Sequence, residues 1–531
     1  MQTVGEALVN LLEQYGVDTV FGIPGTHSIE LYRGLENSGI RHILPRHEQG
    51  GGFMADGYAR STGKPGVCFV ITGPGVTNMT TPMGEAYMDS VPMLVISPVN
   101  PPDSGKYNQG RLHEITDQSA VTAPITAFSA TVTCADHIPE LISRAFTVFN
   151  CQRPRPVHIS IPLDIITQTV DMPWQAISMP AASAATMDGL QQAANMIDQA
   201  EKALIIVGGG ARFTSESVIE FAEKAAIPVT SSVAGRGVVP ASHALAVAAQ
   251  LRTEPVKQLA KDADLLIILG SELSQTDHWD DDIPDCLPKK QIRINLNPGA
   301  LQATNESLSI IADVHSTLGQ LIPLLETADS TKHQNARARI GNLKHQLAAT
   351  MTPKELRHSE VLKMLMPSLP EDCTVVSDMT QLAYTAIDFI ALEKPNSWFH
   401  PTGYGTLGYA LPAAMGVAIA NPEQPVLAIV GDAGIQYTLA ELTLAAELKL
   451  NLTVLLWNND ALLQISDDMD NANISRFAVT QKNPDFIKLA RACNWQAVEV
   501  NDLEILSSQV ESGLKKTGSP LLIQLNENEI F

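Results

Sequence analysis

The chain has 531 residues, 45% of them hydrophobic and 17% charged, with a formal net charge of −22. This is the composition of a well-cored globular protein, which excludes disorder, and the acidic balance argues against nucleic acid or an anionic membrane as partner, since either needs a clustered basic surface. It suits a cytoplasmic enzyme acting on a small molecule, and six scattered cysteines without a C-x-x-C pair suit reduced thiols instead of disulfides or zinc.

In chain order, the start "MQTVGEALVNLLEQYG" is amphipathic and acidic, unlike an export leader, and no run of about 18 apolar residues predicts a membrane span. Strand-like runs then alternate with helix-like ones. They are "VCFVIT", "MLVIS" and "VHISI" early, "ALIIVGGG", "LLIILG" and "IRINL" in the middle, and "CTVVSD", "VLAIVGD" and "LTVLLWNN" late. This alternation predicts an α/β fold of doubly wound parallel sheets covered by helices.

The aperiodic "DMPWQAISMPAASAATMD" (171–188) reads as a linker, and the polar "TADSTKHQNARAR" (327–339) as a second boundary. Three domains follow, at 1–172, 187–328 and 353–531. The stretches 69–97 and 428–457 share one order of strand, Gly-containing turn, helix, break and strand. The middle "ALIIVGGGARFTSES" (203–217) has a Gly turn before a helix but lacks the full G-x-G-x-x-G spacing of a dinucleotide site.

The stretch "IVGDAGIQY" (429–437) sets an aspartate in a strand-to-helix turn, the kind of place that otherwise attracts phosphate, and "IQYTLAELTLAAEL" continues at helical spacing. A carboxylate there makes sense if it holds a divalent cation that phosphates also ligate, as Mg²⁺ does. The next strand ends in "NND" (458–460), at the same sheet edge, so Asp432 and Asn459 could meet at one metal. A backbone carbonyl just past Asn459, at Ala461, would be a further ligand, and the amides of Ala433 and Gly434 would meet a diphosphate. Taken alone, the same residues also suit a capping aspartate and an ordinary loop asparagine.

Gly431-Asp432-Ala433 followed by Asn458-Asn459 resembles the cofactor motif of the thiamine-diphosphate-dependent enzymes of the acetolactate synthase and 2-oxo-acid decarboxylase superfamily, with Ala433 replacing the motif's second glycine. "FGIPGTHSIELYRGL" (21–35), "LPRHEQGGGFMADGYARSTGKPGVCFVITGPGVTN" (44–78) and "PTGYGTLGYALPAAMGVAIA" (401–420) extend the resemblance over nearly the whole chain. It implies a pyrimidine-binding first domain, a Rossmann-like central domain and a diphosphate-binding third domain, with thiamine diphosphate and Mg²⁺ as cofactors.

By this resemblance Glu48 is the glutamate that activates the cofactor by sharing a proton with its pyrimidine nitrogen. Seen alone, it is a glutamate complementing a helix dipole. Gly405 would offer a carbonyl to the cofactor's amino group and Leu407 would bend the cofactor, although Leu407 alone reads as a core leucine. Thr380, Gln381, Ala433 and Gly434 complete the implied cofactor contacts. Family members bind one cofactor between two subunits, which implies at least a homodimer, with a homotetramer expected.

The implied substrate is a 2-oxo acid. Thr26 and His27 occupy the turn where simple decarboxylases of the family place a polar side chain, and His113 and Glu114 stand where pyruvate-decarboxylase-like members carry a histidine pair. His113 is therefore the candidate proton donor, or else a loop histidine without function. Leu112 replaces the aromatic of acetolactate synthases, which counts against carboligation. In "DALLQISDDMDNANIS" (460–475), Asp467 and Asp468 read either as a solvated helix face or as an acidic entrance for a cationic substrate. The pattern "NND…QISDDMD" resembles 5-guanidino-2-oxopentanoate decarboxylases, giving 4-guanidinobutanal as the expected product. An acetolactate synthase-type carboligase, a flavin-dependent oxidase and a catalytically silent cofactor binder are the alternatives. The segment "GSELSQTDHWDDD" (270–282) lacks the stretch with which acetolactate synthases meet FAD, so no flavin is expected.

Overall fold

A computed structural model describes residues 2–101, 109–279, 286–300, 305–341, 343–515 and 518–531. All nine strand-like runs form strands, and the fold is α/β, with parallel sheets covered by helices. The chain divides into two compact units. One comprises Met1–Pro180, Pro367–Gln381 and Gly403–Phe531, and the other Ala181–Met366 and Leu382–Thr402.

The first unit contains two of the sheets. In the N-terminal one, the strands lie in the order Arg41–Ile43, Thr19–Gly22, Gly66–Phe69, Met93–Val99, Val157–Pro162 and Phe128–Thr131. In the C-terminal one, Thr374–Ser377, Val426–Gly431, Leu452–Asn458, Leu521–Asn526 and Gln496–Val500 follow one another. Leaving aside Arg41–Ile43, the two sheets have the same spatial order, and the similar stretches 69–97 and 428–457 occupy corresponding crossovers. The strands at the middle of each sheet are apolar on both faces because helices cover both, as Met93 to Ile96 and Val426 to Val430 illustrate by being wholly buried.

Two helices lock these layers together. The helix Glu48–Thr62 is capped by His47, whose Nδ1 accepts the Gln49 amide, and the helix Ala410–Ala420 is apolar nearly all round and buried. Their backbones touch: a Cβ at Gly57 would lie 2.0 Å from the Ala413 carbonyl oxygen, and one at Gly416 would lie 2.0 Å from that of Met54. Only glycine permits this approach. The contact sets the start of one helix, at Glu48, and the loop leading into the other, at Gly403–Tyr409, on a common frame.

The second unit is built on strands in the order Ala246–Gln250, Val229–Ser231, Leu204–Val207, Leu266–Leu269, Gln291–Asn295 and Ser307–Ile311, the doubly wound nucleotide-binding arrangement. The linker region lacks helix and strand from residue 171 to 186. The second expected boundary instead carries a helix, Ser330–Gly341, whose Arg339 donates to the carbonyls of Lys202 and Ala203. Its polar sequence hides this because it buries little beyond Ala336. The helix predicted straight through 435–448 is also broken, into Asp432–Ile435 and Glu441–Glu447, where the Thr438 hydroxyl turns to donate to the Gly408 carbonyl. Among the described residues, no helix is long and apolar enough to cross a membrane.

Candidate active site

Asp432 ends the strand Val426–Gly431 and opens the short helix that follows. Its side chain is 3% exposed, and burial raises its pKa, opposed by hydrogen bonds from Asn483 and Gln481. The adjacent strand Leu452–Asn458 pairs Trp457 with Gly431, so the turn Asn458–Ala461 leaves the sheet beside Asp432. Asn483 joins the two: its Nδ2 donates to Asp432 Oδ2 (2.7 Å), Asn458 Oδ1 (2.8 Å) and Asp460 Oδ1 (2.8 Å).

An amide with two protons therefore faces three oxygens, and a buried carboxylate has only neutral amides as partners. This donor set fits a hard cation that prefers oxygen ligands. No group of three or more His, Cys, Asp or Glu that could hold a metal occurs among the described residues, so a cation at Asp432 must use neutral oxygens as well.

Asn459, the asparagine expected to face Asp432, is turned elsewhere. Its Oδ1 accepts the Ala461 amide (3.3 Å) and its Nδ2 donates to Glu527 (3.4 Å). Neighbouring side chains leave an extended chain on opposite sides, so with Asn458 directed at Asn483 the next residue points away. Ala433 occupies a helical position and is absent from the residues of positive φ, so its methyl group is tolerated where the motif has glycine.

Behind this turn lies Asp378, 1% exposed and pushed up to about 6 by burial against the pull of backbone amides from Met379, Gly408, Tyr409 and Ala410. Thr380 and Gln381 follow it, both buried. The Gly408 amide donates to Asp378 Oδ2 (3.0 Å), which fixes one end of the loop carrying Gly405, at φ +70°, and the half-buried Leu407. Leu407 is thus not a core leucine.

Glu48 is half-buried at the first position of its helix and accepts Asn78 Nδ2 (2.9 Å). The residues before it are held by Glu441 of the C-terminal sheet layer, whose Oε1 accepts the Arg46 and His47 amides at 3.0 Å each. Glu441 is 1% exposed, and burial pushes it up to about 7 despite these donors.

Three family models match the chain: the N-terminal TPP binding domain of thiamine pyrophosphate enzymes over residues 2–121, their central domain over 190–321 and their C-terminal TPP binding domain over 378–525. The chain belongs to the thiamine pyrophosphate enzymes. Among its relatives, a probable 2-ketoarginine decarboxylase of Pseudomonas aeruginosa is 46% identical over 98% of this chain and 93% of that protein. The acetolactate synthase isozyme 1 large subunit of Escherichia coli is 32% identical over 87% of this chain and 82% of its own length. An acetolactate synthase of Mycobacterium bovis is 32% identical over 92% and 82%.

The remaining candidate residues gather at loops beyond the carboxyl ends of strands. A histidine pair exists, but it forms across two loops: the rings of His27 and His113 lie edge to face with centroids 5.2 Å apart. His27 Nδ1 meets Thr72 Oγ1 (3.0 Å), and burial first, then His113, lowers its pKa. His113 adopts φ +62° and its Nδ1 is buried without a partner. Glu114 turns back to its own loop, accepting the Arg111 amide at 2.9 Å. Thr26 is exposed, and so is Leu112 at 59%.

On the helix Leu463–Asn471, Asp467 is half-buried and Asp468 exposed. Asp467 Oδ2 accepts Gln381 Nε2 (3.1 Å), which brings the acidic helix to a residue implied in cofactor contact. Arg476 forks onto Asp470 at 2.7–3.2 Å and approaches Asp467 at 3.8 Å, so this helix face accommodates a guanidinium.

Sequence reasoning missed Asp378, Glu441, Gln481 and Asn483. The first two are carboxylates in apolar surroundings, a signal of sorts. Gln481 and Asn483 had none, because they reach Asp432 only through the pairing of Ala461 with Thr480.

Proposed function

We propose that the chain decarboxylates a 2-oxo acid without oxidation, and that this acid is 5-guanidino-2-oxopentanoate, giving 4-guanidinobutanal and carbon dioxide. Thiamine diphosphate, when bound, supplies the carbon nucleophile and the electron sink that the bond cleavage needs. The chain's part is to hold and protonate. Asp432 and the Asn458–Ala461 turn would hold Mg²⁺; the family resemblance assigns Asn459 and the Ala461 carbonyl as further ligands, and Asn459 would serve once its Oδ1 leaves the Ala461 amide that it accepts here. Ala433, Gly434, Thr380 and Gln381 would meet the cofactor's diphosphate side, Gly405 and Leu407 would meet its aminopyrimidine side, and Glu48 would hold a proton at the pyrimidine nitrogen.

His113, steadied by His27, delivers a proton at the end of the reaction, with Thr26 and Leu112 at the entrance. Asp467 and Asp468 receive the substrate's distal cation. Because Glu48 serves the cofactor held by the partner's metal site, the working form is at least a homodimer, with a tetramer expected, in the cytoplasm and without flavin.

The observation that carries the substrate assignment is Asp467 at hydrogen-bond distance from Gln381, a carboxylate at the end of the cofactor site with a geometry that already admits Arg476. A fork-shaped guanidinium pairs best with such a carboxylate. The relative named as a probable 2-ketoarginine decarboxylase supports the same choice.

The test is steady-state decarboxylation across 2-oxo acids with and without a terminal guanidinium, with Asp467→Asn alongside. The expected result is a kcat/KM for the guanidino acid at least about tenfold above that for pyruvate, reduced about tenfold or more in Asp467→Asn through KM. Equal or better turnover of pyruvate, or an acetohydroxy acid as product, rejects the proposal.

A further inference from the structure

Five ionisable groups are packed together where the N-terminal layer meets the loop Gly403–Tyr409. Tyr409 donates its hydroxyl to Asp56 Oδ1 (2.6 Å), Arg60 Nε also donates to Asp56 Oδ1 (2.6 Å), and Arg60 Nη2 donates to Asp89 Oδ2 (2.8 Å). Glu85 is the fifth. Its Oε2 accepts the Thr406 hydroxyl (2.9 Å) and the Thr406 amide (3.3 Å), while Asp89 Oδ1 accepts the Gly403 amide (2.8 Å). Asp56, Glu85 and Tyr409 are wholly buried.

Three acids against one guanidinium would leave two negative charges in excess if all were ionised, more than a buried cluster bears. Burial, then the charge of Asp89, holds Glu85 well above the usual carboxylate range, and its Oε1 is buried without a hydrogen-bond partner. Neutral Glu85 can thus accept from Thr406 with Oε2 without placing a further negative charge beside Asp89, which is itself paired with Arg60.

The consequence lies in the alternation of the loop. Thr406 is buried in this cluster, while its neighbours Gly405 and Leu407 are half-buried. Asp378 grips the far end of the loop through the Gly408 amide. A short extended segment held at both ends and by its central residue has little freedom left for the residues between.

We infer that Glu85 is a positioning residue for the cofactor: through Thr406 it sets the backbone carbonyl of Gly405 and the side chain of Leu407. The inference rests on the cofactor contacts proposed for those two residues.

The test is calorimetric titration of the cofactor-free full chain with thiamine diphosphate in MgCl₂, beside the melting temperature of each cofactor-free variant. Glu85→Ala and Thr406→Val should each weaken binding about tenfold or more, the worth of one buried hydrogen bond, whereas Glu85→Gln, which can still accept from Thr406 and carries no charge, should bind within about threefold of the native chain. Thr406→Val should lower its cofactor-free melting temperature by no more than about 3 °C, so that the greater part of its loss is one of positioning; it also carries the test should Glu85→Ala not fold. Native affinity in Thr406→Val, or a Glu85→Gln as weak as the alanine variant, overturns the inference. A native chain that fails to bind thiamine diphosphate rejects the cofactor contacts themselves.

Discussion

Replacing Glu441 by glutamine should make the protein more stable above neutral pH while leaving it unchanged near pH 4. The wild-type carboxyl is wholly enclosed, and its Oε1 takes two backbone amides, from Arg46 and His47. Burial moves its titration from 4.5 to about 7. At about 1.4 kcal/mol per pH unit this displacement corresponds to about 3 kcal/mol.

The sign follows from which state holds the proton. Below pH 4.5 the carboxyl is protonated in both folded and unfolded chains. Between 4.5 and 7 the unfolded chain ionises it while the folded chain keeps it neutral, so stability is lost as pH rises and the loss is complete above about 7. Glutamine retains the accepting oxygen and cannot ionise, so Glu441→Gln escapes this loss. Its apparent Tm should match the native value at pH 4 and exceed it by about 5 °C at pH 8, measured by differential scanning fluorimetry at constant ionic strength. Parallel Tm curves for the two proteins from pH 5 to 8 would refute the argument, since they would mean that Glu441 does not titrate in that range. The effect bears on the active site because the amides held by Glu441 immediately precede Glu48.

Two further outcomes follow from the site. Asp432→Ala should bind thiamine diphosphate and Mg²⁺ at least about a hundredfold more weakly by calorimetry, because it removes the one charged side chain proposed to ligate the cation, and native affinity in that variant would dismiss the proposed metal site. His113→Asn should lower kcat by about tenfold to a hundredfold with cofactor affinity unchanged, as expected for a lost proton donor, and an unaltered kcat would return His113 to the status of a loop residue.

The sequence by itself determined the layers. Runs such as "VLAIVG" and "MLVISP" are apolar at every position, which only a parallel sheet covered on both faces can satisfy, and their alternation with helices settled the fold class. Asp432 in its glycine turn and the asparagines one crossover later were legible for a related reason: strand ends meet at one edge, so local spacing is already tertiary information. The edge strands Arg41–Ile43 and Gln496–Val500 were not legible, since half-exposed residues carry no continuous apolar signal. The helix Ser330–Gly341 was obscured for the same reason.

What only the tertiary structure decided were contacts between groups far apart in the chain. Asn483 over Asp432, Glu441 behind Glu48, Glu85 beneath Thr406 and the pairing of His27 with His113 all bring together residues from different elements. The choice of Asn458 over Asn459 at the Asp432 amide cluster belongs to the same class, because it depends on how the chain twists as it leaves the strand. Periodicity reports which face of an element is buried. It carries no record of which polar group from another element meets that face, and in this chain those meetings decide where the buried carboxyl groups can sit and what they hold in place.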